Sequence, residues 1–341
     1  MNMLKRANRS WTSLRGIVFA LFLFMAISAP TLAADANDTT KTRELFGDLG
    51  FANGFLVHDG TKQLGVLRLQ VPGDPALNPG EFAPIWKLAQ HNSRFDLTKG
   101  EVVVEQNVSA SVTPGQRVAL TRNEEGELVL FLDVMTNNEY CAPRRAGEPW
   151  IHLLLVQDFP VGERVSFGDV TSLTFSCDAR VCDWERLMTD EEFDSGVHAT
   201  QASVYFAISN DNPHSADYQD FIWFGVSFFD DRAEVQSQYV EVDGDPRTIG
   251  TGKLIYRLGE QKTIDELMGG VNPYSKEWAH IDIDLAQYVA GMLLAAQERG
   301  FLVHTNVADL KLSHFNYGWE TPGVYRSSLA IKNLHLKATF K

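Results

Sequence analysis

Short apolar runs bounded by turn residues follow one another through most of this 341-residue chain, and this rhythm restricts the fold more than any other feature. Pro72-Gly73, Pro114-Gly115 and Pro322-Gly323 are typical of the turns between them. The runs do not alternate with helical patterns, as they would in a parallel α/β sheet. The sequence therefore predicts an all-β fold, a two-sheet antiparallel β-sandwich of jelly-roll or concanavalin-like type. The runs are 64–71, 101–112, 128–135, 150–159, 165–176, 203–210, 221–230, 234–242, 253–258, 280–284, 310–319 and 328–340.

One segment has the period of a helix instead. Asp284 is placed to cap it and Gly300 to end it. A single apolar stripe runs along it, formed by Leu285, Val289, Met292, Leu293 and Ala296. We expect one accessory α-helix near 285–298 that packs across a sheet or closes an end of the sandwich.

The N-terminus has the three parts of a secretory signal peptide. Basic residues precede an apolar stretch at 16–27, and Thr31-Leu32-Ala33 is a small-residue cleavage signal. The apolar stretch is shorter than the roughly 20 residues that span a membrane. The expected organisation is a signal peptide at 1–33, a polar linker at 34–43 and a single β-sandwich domain at 44–341. This predicts a secreted or periplasmic protein without a membrane span after cleavage.

The formal net charge of −14 limits the partners of such a domain. The leader carries four basic residues and no acidic one, so the mature chain is still more acidic. An acidic surface disfavours nucleic acid and anionic membranes, because both are polyanions. Neutral or cationic ligands suit it better, and the charge gives no indication of oligomeric state.

The three cysteines, Cys141, Cys177 and Cys182, predict one disulfide in an oxidising compartment. Cys177 and Cys182 could close a small loop across a hairpin end, while Cys141 could instead pair with either of them. Their spacing matches no zinc signature. The cysteine-containing stretch, about 141–197, is the best candidate for an elaborated loop region.

The run DFIWFGVSFFDDR (220–232) has two different faces when its residues alternate along a strand. The bulky core face comprises Ile222, Phe224, Val226 and Phe228, and the other face comprises Phe221, Trp223, Gly225, Ser227 and Phe229. The run 203–210 repeats the second type of face with Tyr205 between small residues. Side by side, the two would form a trough with Trp223 and Tyr205 as walls, a surface suited to a sugar ring. Alternatively, Gly225 marks a bulge, or the small residues make room for the helix.

Two other segments carry residue types that contact or cleave sugars. PIWKLAQHNSRFDL (84–97) brings together Trp86, Gln90, His91 and Arg94, of which His91 could act as acid or base. HFNYGWETPGVY (314–325) contains Trp319 and ends its strand with Glu320, where a carboxylate can face a groove. We therefore predict Glu320 and His91 as catalytic candidates, and Trp223, Tyr205, Trp86, Gln90, Arg94 and Trp319 as substrate-binding residues. Glu320 could instead cap a turn or pair with Arg326.

Three acidic patterns have weaker functional interpretations. The loop at 209–220 carries Asp211, Asp217 and Asp220, hard oxygen ligands that would permit calcium, although no cofactor is required by the sequence. The loop lacks EF-hand spacing, and a polar hairpin loop is the alternative. EVDGD (241–245) is similar to a glycosidase strand with alternate carboxylates, yet it also has the composition of a turn. HIDID (280–284) places His280 and Asp282 on one strand face, where solvated side chains are the ordinary interpretation.

Four features carry a resemblance to known proteins: the leader, the dozen strands, FIWFGVSFFDDR and YGWETPGVYRSSLAIKNLHL. In these features the chain resembles secreted concanavalin-like jelly-roll proteins that bind or cleave polysaccharides. The resemblance is one of pattern across residues 45–341, without the motif of a particular family. It implies an exported protein that binds a carbohydrate polymer in an aromatic-lined groove. Cleavage, by a glycoside hydrolase or polysaccharide lyase reaction, is not decided by the sequence. The alternative is a non-catalytic envelope protein with a structural or protein-interaction role.

Overall fold

Two large β-sheets account for most of the chain in the computed structural model, which describes residues 41–74, 82–234, 237–244, 250–259 and 265–341. The described residues of Thr40–Lys341 form one compact unit. The predicted signal peptide at 1–33 and most of the predicted linker lie outside the described residues. The end of that linker differs from expectation, because Thr42 and Arg43 belong to a short strand paired with the C-terminal strand.

The first sheet has eight strands in the order β15-β10-β17-β8-β7-β6-β5, with β1 also paired to β17. Its strands are β1 (Thr42–Glu44), β5 (Glu101–Glu105), β6 (Val108–Val112), β7 (Gln116–Arg122), β8 (Leu128–Met135), β10 (Val170–Arg186), β15 (Ala279–Asp284) and β17 (Tyr325–Phe340).

The second sheet has nine strands in the order β13-β14-β12-β11-β16-β9-β4-β2-β3. Its strands are β2 (Phe55–Asp59), β3 (Lys62–Leu67), β4 (Trp86–Ala89), β9 (Ile151–Asp158), β11 (Gln201–Asn210), β12 (Phe221–Asp230), β13 (Tyr239–Val242), β14 (Leu254–Leu258) and β16 (Leu310–Thr321). Strand β12 pairs with β14, and β2 with β4, in parallel, while the other pairs are antiparallel. The predicted two-sheet β-sandwich is confirmed, with these two parallel pairs as an addition.

The space between the sheets is filled by the apolar faces of alternating strands. Phe206, Phe224 and Phe315, from three neighbouring strands of the nine-stranded sheet, are almost fully buried there. Trp319 of the same sheet donates its indole N–H to the carbonyl of Leu132 in the eight-stranded sheet, at 2.9 Å. The two sheets therefore share one hydrophobic core.

The predicted helix is present as a 3-10 turn (Leu285–Gln287) followed by helix α1 (Val289–Gln297). Asp284 accepts a hydrogen bond from the backbone of Ala286 as the expected cap. The whole predicted stripe is buried. The ring of Tyr288, between the 3-10 turn and α1, lies 5.8 Å from that of Phe224 in the core. Among the described residues, no helix combines the length and apolarity needed to span a membrane.

The cysteine predictions are wrong. The three cysteines are free, and Cys177 and Cys182 lie on the same extended strand, β10, rather than across a hairpin end. Five residues of a strand cover about 16 Å, far beyond the reach of a disulfide. The predicted loop region at 141–197 likewise contains β9 and the whole of β10.

Candidate functional site

The outward side of strands β9, β16, β11, β12 and β14 in the nine-stranded sheet, here termed the open face, carries the candidate site. Side chains that point inward from these strands form the core, whereas Trp223, Tyr205 and His314 on the outward side are partly exposed. The strand register places the outward residues in rows that cross the sheet. Three such rows contain most of the aromatic, histidine and carboxylate side chains of this face.

The central row contains Tyr205 and Gly225, which are paired between β11 and β12. A Cβ atom on Gly225 would lie 2.1 Å from Cε1 of Tyr205. The tyrosine ring thus lies directly over the glycine backbone, and only a residue without a side chain fits beneath it. Gly225 therefore marks neither a bulge nor space for α1, and the row forms an aromatic platform.

The second row contains Trp223, His314 and Asp158. The ring centroid of Trp223 lies 5.5 Å from that of His314 and 6.4 Å from that of Tyr205, both in edge-on geometry. His314 Nδ1 is 2.5 Å from Asp158 Oδ1, and Lys87 also contacts this carboxylate. The hydrogen bond from His314 and the Lys87 ammonium lower the pKa of Asp158. Trp223 therefore lies next to a histidine that contacts an ionised carboxylate.

A pocket of about 320 Å³ opens beside the second row. Trp223, Phe221 and His314 form part of its wall, together with Asp158 and Ser209. Tyr205 does not line this pocket, because its ring lies over Gly225, so the trough with Trp223 and Tyr205 as its two walls stays a prediction. Phe229 does not belong to it, because a register shift after Ala202 turns this ring into the core, 6.0 Å from Trp319.

The third row is polar and runs from His91 through His152 and Glu320 to Gln201. The ring centroids of His91 and His152 lie 5.5 Å apart, and His152 Nε2 is 3.6 Å from Glu320 Oε1. The amide of Gln201 donates to Glu320 Oε2 at 2.7 Å. Glu320 thus has a histidine and an amide as partners on the sheet, while Arg326 pairs with Glu185 instead.

The environment of this row sets the charge of its two catalytic candidates. Burial acts to raise the pKa of Glu320, but the hydrogen bonds from His152 and Gln201 outweigh it and leave the pKa lowered. Burial and the neighbouring His152 and His58 lower the pKa of His91 to about 4. At neutral pH Glu320 is therefore a carboxylate, suited to act as a base or nucleophile, and His91 is neutral.

The neutral ring of His91 has no free lone pair for catalysis. Gly60 donates its backbone N–H to His91 Nδ1 at 2.8 Å, so the remaining ring proton is on Nε2. This geometry makes His91 a poor base, and its low pKa makes it a poor acid at neutral pH. The expectation that His91 is catalytic is not supported by its hydrogen bonding.

Four predicted substrate-binding residues lie away from the open face. Trp86 and Trp319 are fully buried in the core, so a polysaccharide cannot reach them. Gln90 is also buried and holds its own loop by accepting from the Leu97 backbone. Arg94 binds the carbonyl of Asn138 and lies over the ring of Phe95. These four predictions are corrected. Trp86 and Trp319 lie on the apolar strand face that the core covers, and the side chains of Gln90 and Arg94 hydrogen-bond to nearby backbone groups.

The predicted calcium ligands do not converge. Asp211 pairs with Arg164 at 2.7 Å, Asp217 accepts from the His304 backbone, and Asp220 pairs with Lys253 at 2.6 Å. Among the described residues, no group of three or more acidic, histidine or cysteine side chains is arranged to hold a metal ion. The aspartates instead fix the loop between β11 and β12 to neighbouring segments.

The remaining acidic patterns also have structural partners. Asp243 accepts from the backbone and hydroxyl of Thr251 in a turn, which removes it from a pairing with Glu241. His280 lies 2.8 Å from Asp178 on the eight-stranded sheet. Neither pattern contributes to the open face as a catalytic pair.

The residues of the open face that were not predicted as site residues include His152, Asp158 and Arg257. Alternation along WIHLLLVQDF (150–159) would have placed His152 and Asp158 on one side, opposite Ile151, Leu153 and Leu155. Alternation along KLIYRL (253–258) would likewise have set Arg257 apart from Leu254, Tyr256 and Leu258. The sequence contained this signal, but the pairing of these strands with β16 and β12 did not follow from it.

No protein-family model matches this sequence, and a search of curated proteins gives no match. Solved structures similar to this one include a family 12 xyloglucanase from Bacillus licheniformis, with TM-score 0.39, 8% identity, 70% of this chain covered and 97% of that chain. They also include endoglucanase 3 of family GH12 from Trichoderma harzianum, with TM-score 0.37, 10% identity and coverage of 74% and 97%. A family 11 xylanase from Neocallimastix patriciarum has TM-score 0.31, 10% identity and coverage of 69% and 96%.

These neighbours are glycoside hydrolases, in line with the resemblance to carbohydrate-active proteins stated from the sequence. With identities of 8–10% and TM-scores below 0.5, they assign neither a family nor an activity to this chain.

Proposed function

We propose that this chain is an exported protein that binds a glycan polymer across the open face of its nine-stranded sheet. The observation that carries the proposal is the aromatic platform, in which Tyr205 lies over Gly225 with Trp223 in the adjacent row. A pyranose ring presents an apolar C–H face that packs on such rings, while its hydroxyls bond to polar groups at the rim. His314 and Asn316 supply those polar groups on the neighbouring positions of β16.

The open face supports binding better than hydrolysis by a carboxylate pair. Such a pair lies about 5–9.5 Å apart, at either side of the scissile bond. Asp158 pairs with His314, six residues from Glu320 along β16, which corresponds to about 20 Å. Glu241 lies on β13, four strands from β16, a backbone separation of about 19 Å. Glu320 therefore has no partner at that spacing in Asp158 or Glu241. Asp230 is paired with Gln201 and lies two strands from Glu320 in the same row, about 10 Å away, but its carboxylate is buried and bound by Arg232.

Cleavage of the bound glycan is tested through Glu320, the catalytic candidate among the ionised acids of the open face. Wild type, Glu320→Gln and Trp223→Ala would be incubated with a panel of soluble polysaccharides. Affinity electrophoresis reports binding, while new reducing ends and absorbance at 235 nm report hydrolysis and elimination. The matched control is Trp278→Ala, which removes a partly exposed tryptophan over Arg180 and Lys332 beside the eight-stranded sheet.

We expect at least one polysaccharide to retard wild type, Trp278→Ala and Glu320→Gln to the same extent. Its affinity for Trp223→Ala should be at least tenfold lower. If Trp223→Ala binds as wild type does, the platform is not the binding site. Products formed by wild type and abolished in Glu320→Gln would add cleavage to the function. If wild type binds no polysaccharide, the alternative of an envelope structural or protein-interaction protein is favoured.

A further inference from the structure

Arg257 occupies the same row of the open face as the aromatic platform. It pairs with Gly225 across β12 and β14, and with Tyr239 across β14 and β13, so the four residues Tyr205, Gly225, Arg257 and Tyr239 lie side by side. The Arg257 guanidinium lies 5.2 Å from the centroid of the Tyr239 ring. Burial raises the pKa of the Tyr205 hydroxyl, and the nearby positive charge of Arg257 opposes this rise. A cation is thus held between two aromatic rings on an outward surface.

The hydrogen-bonding capacity of this row is incompletely used within the described residues. Within the described residues Arg257 forms no salt bridge, although its charge contributes to the lowered pKa of Glu320, and its buried Nε has no hydrogen-bond partner. By contrast, Arg117, Arg164 and Arg232 each pair with an aspartate. Two residues along the strands, the paired Ser203 and Ser227 are buried, and their hydroxyls also have no described partner.

We propose that Arg257 binds a carboxylate of the ligand, and that the glycan taken by this face is a polyuronate. This inference rests on the proposed glycan binding and names its substrate class. A guanidinium presents paired N–H donors that match a carboxylate, and stacking on Tyr239 fixes the plane of that fork. The Tyr205 platform beside it would hold the pyranose ring whose carboxylate Arg257 contacts.

The acidity of the whole chain does not extend to this face. Its outward charged positions include Lys87, Lys311 and Arg257 against Asp158, Asp230, Glu241 and Glu320, so the two signs are nearly balanced. Lys87 and His314 already contact Asp158, and His152 lies beside Glu320. Carboxylates elsewhere on the protein are screened over about 8 Å at physiological salt. Glu320 is close enough for the charge of Arg257 to contribute to its lowered pKa, but it has His152 and Gln201 as its direct partners, so a direct contact with Arg257 is left for a ligand carboxylate.

The test compares charged with neutral polymers, and polygalacturonate and its methyl ester are a pair with the same backbone. Affinity electrophoresis and calorimetry would use polygalacturonate, its fully methyl-esterified form, alginate and the neutral polymers xylan and xyloglucan. The variants are Arg257→Gln and Arg257→Lys, with Arg326→Gln as the control. Arg326 is an exposed arginine on β17 that pairs with Glu185, so its loss changes the net charge equally without touching the open face. Thermal unfolding checks that each variant folds.

We expect wild type to bind a polyuronate at least tenfold more tightly than the esterified or neutral polymers. Arg257→Gln should lose at least tenfold, Arg257→Lys several-fold, and Arg326→Gln less than twofold. If charged and esterified polymers bind equally, or if only neutral polymers bind, the polyuronate inference is overturned while the proposed glycan binding stands. Unchanged polyuronate binding by a folded Arg257→Gln removes Arg257 from the site. Absence of binding to every polymer contradicts the proposed function as well.

Discussion

At the scale of single residues, the platform depends on one position without a side chain. The pattern FIWFGVSFF shows that Gly225 shares a strand face with Trp223, but it does not show what lies over the glycine. The pairing of β11 with β12 sets Tyr205 opposite Gly225, and the ring then folds over the vacant position. The conformation of the tyrosine is therefore decided by its neighbour on another strand.

Gly225→Ala is expected to displace the Tyr205 ring, because the new methyl group would lie 2.1 Å from Cε1. Overpacking of this kind costs about 1–3 kcal/mol of unfolding free energy. Urea unfolding measures the loss, and glycan affinity should fall with it. Gly291→Ala serves as the control, because this glycine of α1 has no atom within 4 Å of an added Cβ. A helical alanine there should add about 0.5–1 kcal/mol instead. Equal stability of Gly225→Ala and wild type would contradict the packing of Tyr205.

His91 should make the stability fall on mild acidification. Its pKa is about 4 in the folded protein against an ordinary value of 6.5, so the unfolded chain takes up the proton first as the pH falls. The contribution of neutral His91 to the free energy of unfolding is complete above pH 6.5 and is lost as the pH falls from 6.5 to 4. His91→Asn retains an acceptor for the Gly60 N–H and should lose less stability over that range. Urea midpoints at half-unit pH intervals measure this, with His280→Asn as the exposed control. Parallel curves for wild type and His91→Asn would refute the assignment.

At the scale of elements, long strands differ most from the sequence-based expectation. Strand β10 continues for 17 residues through both cysteines, with register shifts near Ser176 and Val181. Bulges of this kind let a strand bend while it stays paired, so a stretch of sequence without regular alternation does not end the strand. The pairing partner β17, itself 16 residues long, maintains β10 across the segment interpreted as a loop.

Helix α1 offers a matched pair of neighbouring leucines. Leu293 is buried and Leu294 is 59% exposed. Leu293→Ala should lower the unfolding free energy by about 2–5 kcal/mol, because it removes core contacts and leaves a cavity. Leu294→Ala should change it by less than about 0.5 kcal/mol, since an exposed substitution removes little packing. Chemical unfolding of the two variants gives the comparison, and a similar loss in both would mean that α1 does not bury the predicted stripe.

At the scale of the whole molecule, the two sheets behave as one structure because they have one core. The Trp319 indole binds the backbone of β8, and Phe46 contacts rings of both sheets, with Phe175 at 6.4 Å and Phe315 at 4.8 Å. Neither sheet could separate without exposing the apolar face of the other.

We therefore expect residues 41–341 to unfold in a single transition. Circular dichroism reports the strands of both sheets, while tryptophan fluorescence reports chiefly the environment of buried residues such as Trp86 and Trp319. Coincident midpoints from the two probes are the expected result in urea. Two separated midpoints would show that the sheets unfold independently.

Alternation, turn residues and caps in the sequence by themselves determined the β-sandwich class, the accessory helix and the two faces of the strand around Trp223. These features depend on neighbouring residues, since side-chain period and turn chemistry are local properties. Only the tertiary structure decided which outward residues meet: Tyr205 over Gly225, His152 beside Glu320, and Arg257 beside Tyr239. It also placed Trp86 and Trp319 in the core and kept Cys177 apart from Cys182. These outcomes depend on strand order and register, which arise from contacts between segments distant in the chain, and no local pattern encodes them.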